Sequence, residues 1–173
     1  RARFCERLKE YAGIAHRECS GGREELGVEY QTVSTISDPL APIETIYDQL
    51  RAHQASHAAA ERASRMCLSG PHKDDIAVTV NGLEARHFCS QGQVRTAALS
   101  LKLADREIHK TAIGEYPVML LDDVLSELDD ARQTYLLTRI EDKQTFVTTC
   151  DSAAFARTNG KLVFVDHGTV REG

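Results

Sequence analysis

The 173-residue chain has no run of about 18 apolar residues and no secretory leader pattern, so membrane insertion and secretion are both disfavoured and a cytoplasmic protein is expected. Its five cysteines (Cys5, Cys19, Cys67, Cys89 and Cys150) are odd in number and lack Cys-x-x-Cys spacing, which argues against a disulfide framework and against a zinc site. The seven His residues are scattered. His53 and His57, four apart on an expected helix, could chelate a metal, but such a pair more often marks a solvated helix face. There is also no basic run. Residues 1–73 carry ten basic and ten acidic side chains and residues 74–173 carry eleven and sixteen, so the whole net charge of -5 lies in the second stretch. Composition therefore does not announce nucleic acid, whose phosphates demand local positive charge. A last absence is chemical. The Gly-x-x-x-x-Gly-Lys-Ser/Thr loop that cradles nucleotide phosphates in backbone N–H groups is missing: Leu162 follows the single Gly-Lys pair, Gly160-Lys161, and Phe155 stands where the first Gly belongs.

What is present points to phosphate chemistry all the same. Val118-Met119-Leu120-Leu121 predicts a strand buried on both faces, and Asp122-Asp123 closes it at the carboxyl end, where open α/β sheets place ligands. The first Asp suits Mg²⁺ and the second suits orienting water. A solvated turn after a buried strand would look the same. Upstream, Ser90-Gln91-Gly92-Gln93 opens a helix whose free N–H groups and dipole favour an anion, although Ser90 would serve equally as a simple N-cap. Downstream stands Ser126-Glu127-Leu128-Asp129.

Taken in order, this succession resembles the signature, Walker B and D-loop motifs of ABC-type ATPases. Gly70-Pro71-His72-Lys73-Asp74-Asp75, Ser90 to Thr96, Leu120 to Asp129 and Gln144 to Thr149 together resemble the RecF family of bacterial recombination and repair proteins. The likeness is strong over residues 65–150 and weaker in the flanks. Lys73, Val94 and Cys150 depart from the family's Arg, Gln and Thr.

The resemblance implies a fold and a site. The fold is α/β: residues 69–173 form the carboxyl-terminal part of an ABC-type ATPase head, a largely parallel sheet with flanking helices, and residues 1–68 form part of a helical lobe. The chain opens on Arg1 within charged amphipathic sequence, so a carboxyl-terminal piece of such a protein is expected, inactive alone without the phosphate loop. ATP and Mg²⁺ are the implied cofactors. Asp122 would hold the metal and Asp123 would be catalytic, with Ser90, Gln91, Gly92, Gln93 and Asp129 meeting the nucleotide across an ATP-dependent homodimer. By the same resemblance the partners are single-stranded and gapped duplex DNA, RecR and RecO, and indirectly RecA. Other readings are an SMC-like or Rad50-like head, a two-metal nuclease at Asp122-Asp123, or a DNA-binding scaffold that does not hydrolyse ATP.

The residues also predict elements. Helices are expected over 4–19 and 43–66, a half-buried strand over Leu26 to Tyr30, and a hairpin over Asp75 to Arg86 turning at Asn81-Gly82. From Ser90 the order is helix, strand, helix, strand, helix and a closing hairpin from Lys161, with the Thr145 to Thr149 strand beside the Asp122 strand. The Gly70 to Asp75 loop reads either as a solvated turn or as a loop beside nucleotide or DNA, and its residues stay outside the proposed site.

Overall fold

A computed structural model describes residues 1–33, 35–141, 143–150 and 159–172. Helix α1 (Ala2–Cys19) forms because Cys5, Leu8, Ala12, Ala15 and Cys19 recur at three- and four-residue steps and bury one stripe. It stops at Gly21 and Gly22, both with positive φ, where the Gly22 N–H reaches back to the Arg17 carbonyl at 2.7 Å and closes the last turn. Strand β1 (Leu26–Gln31) follows, then α2 (Ile43–Ser64), β2 (Asp75–Val80), β3 (Leu83–Glu84) and the short α3 (Ala85–Phe88). Helix α4 (Gln91–Ile113), β4 (Met119–Asp122), a 3₁₀ turn (Leu125–Glu127), α5 (Asp130–Ile140), β5 (Thr145–Thr148), β6 (Val163–Asp166) and β7 (Thr169–Glu172) complete the order. The helix expected between β5 and the closing hairpin lies outside the described residues.

Among the described residues three sheets result. β1, β2 and β3 are antiparallel, β4 and β5 pair in parallel with Asp122 opposite Thr148, and β6 pairs antiparallel with β7. The α/β fold thus carries its parallel pairing at the strand expected to bear the acidic pair. Asn81 and Gly82 turn β2 into β3 with φ of 51° and 78°, the left-handed conformations a two-residue hairpin requires. Only two residues of the return arm stay extended before Ala85 begins α3.

Two apolar clusters share α1 and α4. One joins Ala15 and Cys19 to Leu99, Leu103, Met119, Leu121, Leu125, Leu128, Leu136 and Ile140; the other joins Cys5, Leu8 and Ala12 to Leu26, Val28, Val80, Ala97, Ala104 and Ile108. Helix α1 lies along α4, where its apolar stripe finds its complement, and β1 is hydrogen-bonded to β2, whereas α2 buries none of its residues.

Burial of β4 also departs from expectation. Met119 and Leu121 are buried, whereas Val118 is 51% and Leu120 74% exposed, and the register partner of Leu120, Phe146, is 59% exposed. One face of the pair is packed against the core around α4 and α5; among the described residues nothing covers the other. No helix among the described residues is long and apolar enough to cross a membrane.

Candidate nucleotide site

Ser90 caps α4 by a reciprocal pair of bonds. The Gln93 N–H donates to Ser90 Oγ at 3.3 Å, and the Ser90 N–H donates to Gln93 Oε1 at 3.0 Å. This capping box satisfies one orphan amide of the helix and leaves the first-turn amides of Gln91 and Gly92 at an exposed helix start. Val94 follows, partly exposed, and Thr96 begins the buried stripe. The box was legible as Ser-x-x-Gln, but sequence reading weighed Ser90 as an anion-binding helix start or a simple N-cap and did not pair it with Gln93.

The acidic pair ends β4 as expected, and its surroundings explain its posture. Thr148 Oγ1, at the end of the parallel neighbour, donates to Asp122 Oδ1. Asp123 takes φ of 50°, a left-handed conformation that Asp tolerates better than most residues, and its N–H turns back to the Thr148 carbonyl and Oγ1, each at 3.1 Å. Ser126 Oγ donates to the Asp123 carbonyl at 2.8 Å, folding the following turn. Both carboxylates are exposed, and no hydrogen bond or ion pair among the described residues engages that of Asp123. Sequence reading placed Thr148 only on the strand beside that of Asp122; here its hydroxyl holds the Asp122 carboxylate.

Asp129 begins α5 as its N-cap. Its carboxylate accepts the Arg132 N–H at 2.9 Å and pairs with the Arg132 guanidinium, and these bonds hold it below the usual carboxylate range, the backbone bond contributing most. Arg132 in turn faces Glu24, which accepts a bond from Gln93. Ser90, Gln93 and Asp129 are thus brought into one polar network, whereas no hydrogen bond or ion pair among the described residues joins them to Asp122 or Asp123. Glu24 and Arg132 carried no motif and were missed. In the Gly70 to Asp75 loop, Asp74 accepts bonds from Tyr30 Oη, Thr32 Oγ1 at 3.1 Å and the Val33 N–H at 3.3 Å, a clamp on the end of β1.

The donor set at Asp122 was tested against Mg²⁺. No group of three or more His, Cys, Asp or Glu residues among the described residues could hold a metal ion. One exposed carboxylate suits Mg²⁺, which keeps several waters and shares its remaining positions with substrate phosphates, and does not suit a resident zinc or a two-metal nuclease centre.

Along 99% of its length this chain is 45% identical to the "DNA replication and repair protein RecF" of Pediococcus pentosaceus, and 43% identical over 173 residues to the Bacillus subtilis protein of the same name. Over nearly all of its own length the chain is thus similar to RecF proteins. It spans about half the length of the curated relatives it matches, 47% and 44% of these two. A solved structure described as the recombination mediator protein RecF-ATP in the RecFOR pathway superposes with a TM-score of 0.80 at 32% identity, covering 98% of this chain and 44% of that one. A structure from work on ATP-driven dimerization and DNA-stimulated activation of SMC ATPases matches at a TM-score of 0.57 and 14% identity, covering 99% of this chain and 84% of that one, a likeness of fold. No protein-family model matches the RecF-like chain.

Proposed function

We propose that this RecF-like chain supplies the signature, metal-holding and water-orienting parts of an ATP-dependent DNA-repair ATPase. The observation that carries this reading is the exposed Asp122-Asp123 pair at the end of β4, held by Thr148, in a chain that also presents a capped, exposed Ser90 helix start. Asp122 holds Mg²⁺, which when bound neutralises charge on the phosphate oxygens. Asp123, its carboxylate engaged by no hydrogen bond or ion pair among the described residues, orients the attacking water. Ser90 and the amides of Gln91 and Gly92 meet the γ-phosphate of a nucleotide cradled by the opposite subunit, so ATP binding and homodimerisation are linked. Gln93 fixes that helix start, and Asp129 stands at the start of α5 near the same interface.

In this picture the whole protein acts in the cytoplasm on gapped and single-stranded DNA, with RecR and RecO, in support of RecA loading. Slow hydrolysis releases the dimer from DNA. The exposed carboxylates and intact signature Ser favour an ATPase over a decayed scaffold.

The test uses the complete protein that carries this sequence. Asp123→Asn should bind ATP as wild type does and lose at least about a hundredfold in turnover, the scale of a lost general base. Asn tolerates the left-handed backbone that Asp123 adopts, so the fold is spared. Wild-type hydrolysis in that variant would refute the assignment.

A further inference from the structure

Glu24 lies in the short connection between α1 and β1, outside every motif, with its side chain only 14% exposed. It is reached from three helices. From the first turn of α4, Gln93 Nε2 donates to Glu24 Oε1 at 3.2 Å while the other end of the same side chain accepts the Ser90 N–H. From the first turn of α5, the Arg132 guanidinium approaches Glu24 Oε2 at 3.8 Å and also grips Asp129. From α1, His16 Nε2 stands 3.3 Å from the same oxygen, and His16 Nδ1 lies 3.2 Å from Ser100 Oγ on α4.

One carboxylate therefore ties together the two helix starts that carry Ser90 and Asp129. Neither start is fixed to the other by a strand ladder. The second tie between α4 and the Asp129 turn, Arg95 to Glu127 at 2.8 Å, joins side chains that are 42% and 44% exposed, where water competes for both charges. Glu24 works in a drier place. Its charge balances a guanidinium that is 17% exposed, and deleting it leaves that cation with Asp129 alone.

We propose that Glu24 is a positioning residue that locks the Ser90 and Asp129 helix starts into one rigid unit, so that both meet the opposing subunit's nucleotide together. This rests on the function proposed above. Glu24 touches neither substrate nor metal; it acts through Gln93 and Arg132. With Glu24 removed, Gln93 still caps α4 but loses its link to Arg132, and the two starts are held together only by the apolar packing beneath them and the exposed Arg95–Glu127 pair, which fixes their relative position less sharply.

The test measures ATP-dependent dimerisation of the complete protein by sedimentation velocity, and monomer affinity with a fluorescent ATP analogue. Glu24→Ala should weaken the ATP-dependent dimer about tenfold with monomer nucleotide affinity unchanged. Glu24→Gln, the same size and still able to accept from Gln93, should recover part of the loss, and it carries the test if the Ala variant does not fold. Wild-type dimerisation in both variants, with only a lowered melting temperature, would overturn the positioning role. Ser90→Arg is the reference: if it abolishes the dimer while the Glu24 variants retain it, the positioning role alone fails. If Ser90→Arg still dimerises with ATP, the functional reading fails and the positioning role falls with it.

Discussion

His16 is wholly buried, between Ser100 on α4, Glu24 beside β1 and Arg132 on α5. Burial lowers its pKa from the usual 6.5; Glu24 opposes the shift and Arg132 adds to it. The sign follows from linkage. The unfolded chain takes up the proton near 6.5 while the folded chain resists it, so the contribution of neutral His16 is complete above that value and is lost as pH falls toward the lowered folded value. Urea unfolding of the chain at a series of pH values from 8 down to about 5 should show the midpoint falling through the acidic half of that range. His16→Gln, which keeps a polar group but cannot titrate, should flatten that fall. Parallel profiles for the two proteins would remove His16 from the network. The residue scale also shows why Glu24 and Arg132 escaped sequence reading. A lone Glu before a strand and a lone Arg in a helix carry no spacing signal, and their meaning arises only when α1, α4 and α5 pack.

At the scale of elements, α1, α2, α4, α5, the β1 strand and the two hairpin turns were legible because apolar period and turn chemistry agree locally, whereas α3 replaced part of an expected return strand. Asn81-Gly82 and His167-Gly168 each place two left-handed residues between strands. The parallel partnership of β4 and β5 was legible from the order of elements. What was not legible was the second face of β4. Four consecutive apolar residues say that a strand wants burial on both sides, but not what will cover it, and here Leu120 and Phe146 remain open. The packing of α1 along α4 was hidden for a related reason, since an apolar stripe does not name its partner. The elements also bound what the chain can do unaided. It has an acidic strand end and an exposed helix start that share no hydrogen bond or ion pair among the described residues, and no Gly-x-x-x-x-Gly-Lys-Ser/Thr loop to cradle a nucleotide. Calorimetric titration of ATP–Mg²⁺ into this chain alone should give no binding tighter than roughly millimolar. A micromolar site would mean that the two networks close on one nucleotide within a single copy.

At the scale of the whole molecule, the role proposed for Ser90, serving a nucleotide held by another subunit, is one that geometry within a single chain cannot satisfy. The helix start is exposed, capped by its own Gln93, and joined by no hydrogen bond among the described residues to the Asp122-Asp123 strand end. If Ser90 were only a cap, replacing it would lower stability by about 1 kcal/mol and leave assembly intact. If it faces a phosphate across an interface, a bulky cation there blocks the close approach of two subunits. Sedimentation velocity of the complete protein carrying Ser90→Arg, with and without ATP, separates these outcomes. The account predicts a wild-type protein that shifts from monomer to dimer on adding ATP and a variant that stays monomeric; a variant that still dimerises with ATP would contradict it.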